Sequence, residues 1–322
     1  MAVSCTDSHA SRGHLPERAS TGDLSEGGVR EQYPSTGEND EVVIEAAGNL
    51  TPGTRGDLRR AVAEVPLWYH TIELAPGVVT PGWFDLRTVA ARAPWPDVRG
   101  LRCLDVASSD GFLAFELERR GAAEVVSVDI ADHEDWDWLP RERESGPAGL
   151  SALSGAKGRS FEVAAAALGS SVKRRVTSVY DLSPASLGTF DVVVCGWLML
   201  HLRDPFRALE AIRGVCRKWF LSIEQIDPRL TLLDRRRGAF SLRGEIGQWL
   251  VPSRLGVSRM IEVAGFDVVE STRPYATPFG SAHPPVRQSL GRVLGDLMCR
   301  GRGVPTVAVL AKPALGTAGG PL

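Results

Sequence analysis

Two short stretches hold the residues whose types and spacing could do chemistry. Leu104-Asp105-Val106-Ala107-Ser108-Ser109-Asp110-Gly111 sets a carboxylate in an apolar run and follows it with a tight turn of small residues. Val125-Val126-Ser127-Val128-Asp129 ends a second apolar run on another carboxylate. Asp129 lies 24 residues after Asp105 (129 − 105 = 24), a spacing at which an acid closing one parallel strand can meet a ribose diol. A helix opening after the turn would aim its first backbone N–H groups at an anionic group. Ala107 and Ser109 occupy places where a dinucleotide fingerprint has glycines. A ligand without a pyrophosphate needs less backbone clearance there.

That frame favours S-adenosylmethionine (SAM) over NAD. In an open parallel sheet, ligands bind beyond the carboxyl ends of the strands. The cofactor candidates are therefore Asp105, Ala107, Ser108 and Gly111 at the first strand end, and Asp129 and Ile130 at the second. Ser178, Val179 and Tyr180 close the third strand and could read an adenine edge; Gly196 closes the fourth and allows close backbone approach. Asp110 reads equally as a site residue and as a helix cap. Two histidines are candidate bases: His70, in an aromatic loop, and His201, just after the fourth strand. Glu73 and Glu224 are weaker acid–base candidates. Trp68, Tyr69, Trp83, Trp197 and Trp249 could line an aromatic acceptor pocket, and Arg254 could bind an anionic part of the acceptor. No His, Cys, Asp or Glu cluster has metal-ligand spacing, so no metal is expected.

Positioning these groups takes alternating strands and helices. Strand-like runs fall at 101–106, 124–128, 175–179, 190–195 and 219–224, with late candidates at 266–270 and 304–310. Helical patterns fall at 111–120, at 161–168 and from Asp204-Pro205 onward. Such alternation predicts an α/β fold: a doubly wound, mostly parallel seven-stranded sheet of Rossmann-like type. Residues 1–50 are polar and aperiodic and read as a disordered tail. Residues 51–100 read as a helix and an aromatic loop covering the site, and 101–315 as the catalytic domain. Within that domain, 132–158 reads as an outward loop and 227–259 as a lid rich in arginine, from Arg229 to Arg259.

The chain has 322 residues, 24% of them charged, with a net charge of −2. That balance gives no global attraction to nucleic acid. No apolar run approaches the ~18 residues of a membrane span. Five cysteines without paired short spacings fit a reduced, cytoplasmic protein.

The series LDVASSDG, VVSVD, SVYDLSP and FDVVVCGWLMLHLRDP, beginning at Leu104, Val125, Ser178 and Phe190, resembles the motif order of class I SAM-dependent methyltransferases. More narrowly, WYHTIEL, TPGWFDLR, FELERRGAAEVVSVD, HLRDPFRALEAIR and QWLVPS resemble a tRNA wobble-uridine (5-methoxyuridine-type) methyltransferase-like group. The resemblance implies a Rossmann-like methyltransferase fold and a SAM site at Asp105, Ala107, Gly111, Asp129, Val179 and Gly196. The group also covers small-molecule enzymes, and related wobble-uridine enzymes use a carboxylated SAM. The expectation is methyl transfer to a small-molecule acceptor, possible in specialised metabolism. tRNA is the alternative acceptor, and a SAM-binding regulatory protein without activity is the third reading.

Overall fold

The computed structural model describes residues 43–44, 54–145, 153, 155–233, 236–242, 247–286 and 289–314. Of the stretch 1–50 read as a tail, only Val43–Ile44 falls among them, as a two-residue strand. Its remaining residues lie outside the described ones.

The sheet is built from β1 (Arg102–Val106), β2 (Glu124–Asp129), β3 (Lys173–Val176), β4 (Phe190–Gly196), β5 (Cys216–Gln225), β6 (Phe266–Ser271) and β7 (Val304–Pro313). Their order across the sheet is β3-β2-β1-β4-β5-β7-β6. β1 to β5 run parallel, whereas β7 runs antiparallel to both neighbours. Val43–Ile44 adds an antiparallel edge beside β3, and Tyr275–Thr277 pairs with β7. The expected seven strands are present, with two short additions.

The central strands are apolar on both faces because helices cover both. Cys103, Val125, Val192, Val194, Leu221 and Ile223 point into one core, together with Leu113, Leu117 and Phe161. Leu104, Val126, Val128, Val193, Cys195 and Phe220 alternate into the other, together with Leu209, Ile212 and Ile261. The covering helices are Phe112–Arg119, Arg159–Leu168, Pro205–Val215 and Arg254–Val263. Pro205 takes the first turn of the third, where its missing N–H costs nothing, and Asp204 caps it by accepting from Arg207 N.

Register places the site. Val106 lies level with Val128 on one side and with Cys195 on the other, while Asp129 lies level with Val176. The chain segments leaving β1, β2, β3 and β4 therefore emerge side by side. Strand order reverses between β1 and β4, which opens a crevice above that junction. No helix among the described residues is long and apolar enough to cross a membrane.

Candidate active site

The crevice holds a cavity with about 960 Å³ of empty space, its open mouth included. The turn after β1 forms its floor. Ala107 and Ser109 adopt left-handed backbone (φ 59° and 53°), as does Trp197 after β4 (φ 49°). All three line the cavity. Among the described residues the one other non-glycine with this conformation is Arg300. The turn thus keeps a glycine-like path without glycines at those two positions, and the strain sits at the site. Gly111 is required for a different reason: at φ +88° a Cβ would stand 2.7 Å from Phe161 Cδ2 and 2.8 Å from Phe115 Cζ.

Asp129 closes β2 inside the cavity wall. Its Oδ2 accepts from Ser109 N at 2.9 Å, which ties the second strand end to the first turn. Its Oδ1 accepts from Ile130 N at 2.9 Å and meets Lys157 Nζ at 3.0 Å. Asp105 lies deeper, in β1, and is not a lining residue; it is 1% exposed and neither carboxylate oxygen has a hydrogen-bond partner. Burial above all, with the charge of Asp129 adding, pushes its carboxyl well above the usual range.

The third and fourth strand ends complete the wall. Thr177, Ser178, Val179 and Tyr180 line it from β3, and Gly196, Trp197, Leu198 and His201 from β4. A Cβ on Gly196 would sit 2.9 Å from Leu113 Cδ1, so the close approach is to the covering helix. Tyr180 donates its hydroxyl to Asp137 Oδ2 at 2.5 Å, and burial holds that phenol above its ordinary range. His201 Nδ1 lies 2.7 Å from the carbonyl of Gly247 and its ring stacks on Trp136 at 5.1 Å. A carbonyl can only accept, so Nδ1 carries the hydrogen and Nε2 is left as an acceptor. Burial lowers the pKa of this imidazole, the Lys157 ammonium adds to the lowering, and the Gly247 carbonyl opposes it.

The aromatic loop contributes Leu67, Tyr69 and His70 to the same cavity. It is ordered by its own bonds: Thr80 Oγ1 donates to His70 O at 2.7 Å and accepts from Ile72 N at 2.7 Å. Asp110 anchors it from the turn. Its Oδ2 accepts from Tyr69 N and His70 N, both at 2.9 Å, and Oδ1 stands 2.5 Å from His70 Nδ1, off the line of a straight hydrogen bond. Asp110 is fully buried. It is not the helix cap, since Gly111 holds that position without a side-chain bond.

Of the residues singled out in the sequence, Ala107, Asp129, Ile130, Ser178, Val179, Tyr180, Gly196, Tyr69, Trp197, His70 and His201 line this one cavity. Ser108 and Gly111 shape the turn without lining it; Ser108 Oγ accepts from Ser127 Oγ at 2.5 Å. Trp68 lies in the core, its Nε1 donating to Val62 O at 3.0 Å. Trp83 packs against Tyr69 and His283 outside the cavity lining. Trp249 reaches Asp137 O with its Nε1 and is likewise not a lining residue. Arg254 spends its guanidinium on the carbonyls of Ser271 and Thr272 and lines a different cavity. Arg235 and Arg243 of the insert lie outside the described residues.

The reading of 132–158 as an outward loop is corrected. His133, Asp135, Trp136, Asp137, Leu153 and Lys157 line the cavity. Trp136 and Trp138 are the signal for this: two tryptophans in a polar stretch need something to bury them. Asp110 was legible only as an ambiguous acid, because its partners lie 40 and 41 residues away.

Strand order, antiparallel last strand and cavity position together give a Rossmann-like α/β sheet with a ligand-sized cavity at the carboxyl ends of its parallel strands. Residues 104–219 match a family described as "Methyltransferase domain". The chain is 32% identical over 119 residues to the ubiquinone biosynthesis O-methyltransferase of Neisseria meningitidis serogroup C, covering 36% of this chain and 39% of that protein. The protein of the same description from Hahella chejuensis is 29% identical over 118 residues, covering 37% and 40%. The chain therefore spans about two fifths of the length of these relatives. Among solved structures, the N-terminal domain of EvdMO1, crystallised with SAH and D-fucose, aligns at a TM-score of 0.49 and 18% identity, covering 81% of this chain and 97% of that one.

The residues fit the cofactor. A buried carboxyl without a partner lies under the turn at Asp105, and a strand-end acid stands in the wall at Asp129. Among the described residues no group of His, Cys, Asp and Glu is placed to hold a metal ion.

Proposed function

We propose that the protein transfers a methyl group from SAM to a hydroxyl of a small-molecule acceptor, with His70 as general base. The supporting observation is the pairing of the His70 imidazole with the buried carboxylate of Asp110 in the wall of the cofactor cavity. Bound SAM supplies an electrophilic methyl on a sulfonium. Asp129 would hold the ribose diol, and Ile130, Ser178 and Val179 would border the adenine. The protein's remaining task is alignment, water exclusion and removal of one proton.

Asp110 takes two backbone N–H groups on Oδ2 and faces Nδ1 with Oδ1. A carboxylate this close to Nδ1 favours the imidazole hydrogen on that nitrogen, which would leave Nε2 to receive the acceptor's hydroxyl proton. Tyr69, Trp136 and Trp197 supply flat apolar surface for a ring-bearing acceptor. The likeness to O-methyltransferases over 119 residues supports oxygen as the accepting atom.

The test is incubation with SAM and a panel of phenols, hydroxylated sugars and unmodified tRNA, read by mass spectrometry for a gain of one methyl. Methylation of a hydroxylated small molecule is expected. His70→Ala is expected to lower kcat by roughly 10²- to 10⁴-fold, the usual weight of a positioned base, with SAH affinity unchanged. Methylation of tRNA alone, or full turnover by His70→Ala, overturns this reading.

A further inference from the structure

The second cavity histidine has its own support, which the general base does not use. Gly247 is a single peptide gripped from both sides. Its carbonyl accepts from His201 Nδ1 at 2.7 Å. Its N–H donates to the Glu142 carboxylate, at 3.0 Å to Oε2 and 3.3 Å to Oε1. Glu142 projects from the short helix Pro140–Ser145 and is buried. Trp249, two residues on, is pinned as well: its N–H donates to Leu200 O at 2.8 Å and its Nε1 to Asp137 O at 2.5 Å. Trp136 fixes the plane of the ring by stacking on it.

We propose that Glu142 is a positioning residue: by holding the Gly247 peptide it fixes His201 as the Nδ1–H tautomer, so that Nε2 accepts a hydrogen bond from the acceptor molecule.

A buried carboxylate under a peptide N–H polarises that peptide and strengthens its carbonyl as an acceptor. Without it the peptide loses the bond that orients it, and the imidazole hydrogen can move to Nε2. Nε2 then becomes a donor and presents the wrong group to a hydroxyl. Gly247 has φ +70°, a conformation that glycine adopts freely, so the peptide can take this orientation. The lowered pKa of His201 keeps the ring neutral, the state in which a tautomer can be selected. The functional part of this inference rests on the methyl-transfer reading; the tautomer part does not.

The test uses the full chain labelled with ¹⁵N in the histidine rings. Long-range ¹H–¹⁵N spectra assign the tautomer, with the His201 signals identified by their loss in His201→Gln. Wild type is expected to show a pure Nδ1–H form for His201. Glu142→Gln, which keeps an acceptor oxygen, is expected to retain it. Glu142→Ala is expected to give a tautomer mixture while the His70 signals stay in place. With an acceptor found in the panel above, Glu142→Ala is expected to raise KM about tenfold, the weight of one neutral hydrogen bond, and to leave kcat within about twofold. An Nε2–H form in wild type overturns the proposal even if the alanine variant does not fold. So does an unmixed Nδ1–H form in folded Glu142→Ala. Absence of methyl transfer by wild type, with these spectra as expected, overturns the function and leaves the tautomer assignment standing.

Discussion

Asp129 has two roles that a pair of substitutions separates. In the protein alone it is matched to Lys157 at 3.0 Å, with side-chain exposures of 4% and 10%. At an effective dielectric near 20, two charges at that distance attract by roughly 5 kcal/mol. Desolvation offsets much of that, yet removing one partner of a buried pair costs about 3–5 kcal/mol because the other is stranded. The cavity is open enough for the freed ammonium to regain some water, so Asp129→Asn should destabilise by about 2–3 kcal/mol. Asp129→Asn/Lys157→Met removes the stranded charge and should recover at least half of that loss. Cofactor affinity should behave otherwise. A hydroxyl bound to a carboxylate contributes about 1.5–3 kcal/mol, and the amide keeps only one oxygen. Both variants should therefore bind SAH roughly 10- to 100-fold more weakly than wild type. Denaturant unfolding measures the first effect and titration calorimetry the second. A double variant that binds SAH like wild type would refute the placement of ribose at this acid.

The remaining predictions concern burial and the turn. Glu224 is buried and its carboxyl is pushed up to about 8 from 4.5, by burial first. Between those values the unfolded chain has released a proton that the folded one keeps, so stability should fall as pH rises through this window and level off above it. Glu224→Gln should flatten that slope; denaturant midpoints at pH 5, 7 and 9 that do not move in wild type would count against it. Ala107→Gly should relieve the left-handed strain of about 1–2 kcal/mol, less the ~0.5–1 kcal/mol entropic cost of glycine. A small gain in Tm with SAH affinity preserved is expected, and a Tm drop of several degrees would show that this residue is not strained.

Strands and cofactor groove were legible because their signals are local. A run such as Phe190 to Cys195 declares a buried strand, and an acid such as Asp129 closing another declares a groove. The acceptor side was less legible because its bonds are long-range and made by backbone. Nothing near Asp110 says that its carboxylate meets residues 69 and 70. Nothing near Glu142 points to the N–H of Gly247, 105 residues on. The tryptophans divided for a similar reason. Trp68 and Tyr69 are neighbours on an extended segment, so their rings diverge, one into the core and one into the cavity. Sequence shows such a pair but not which ring turns inward.

The loop bearing His70 is also stitched to the far end of the chain. Gly280 N donates to Trp83 O at 2.7 Å and Asp85 N to Pro278 O at 2.9 Å. A Cβ on Gly280 would run into the Gly82 carbonyl, and one on Gly82 would run into the His70–Thr71 peptide, so neither position has room for a side chain. The candidate base is therefore held by three separate passages of chain, two of them outside the matched segment 104–219. Grafting residues 66–86 alone onto a related scaffold would move the imidazole without its buttress. A transplant meant to carry acceptor choice has to bring the stretch around Gly280 along with it.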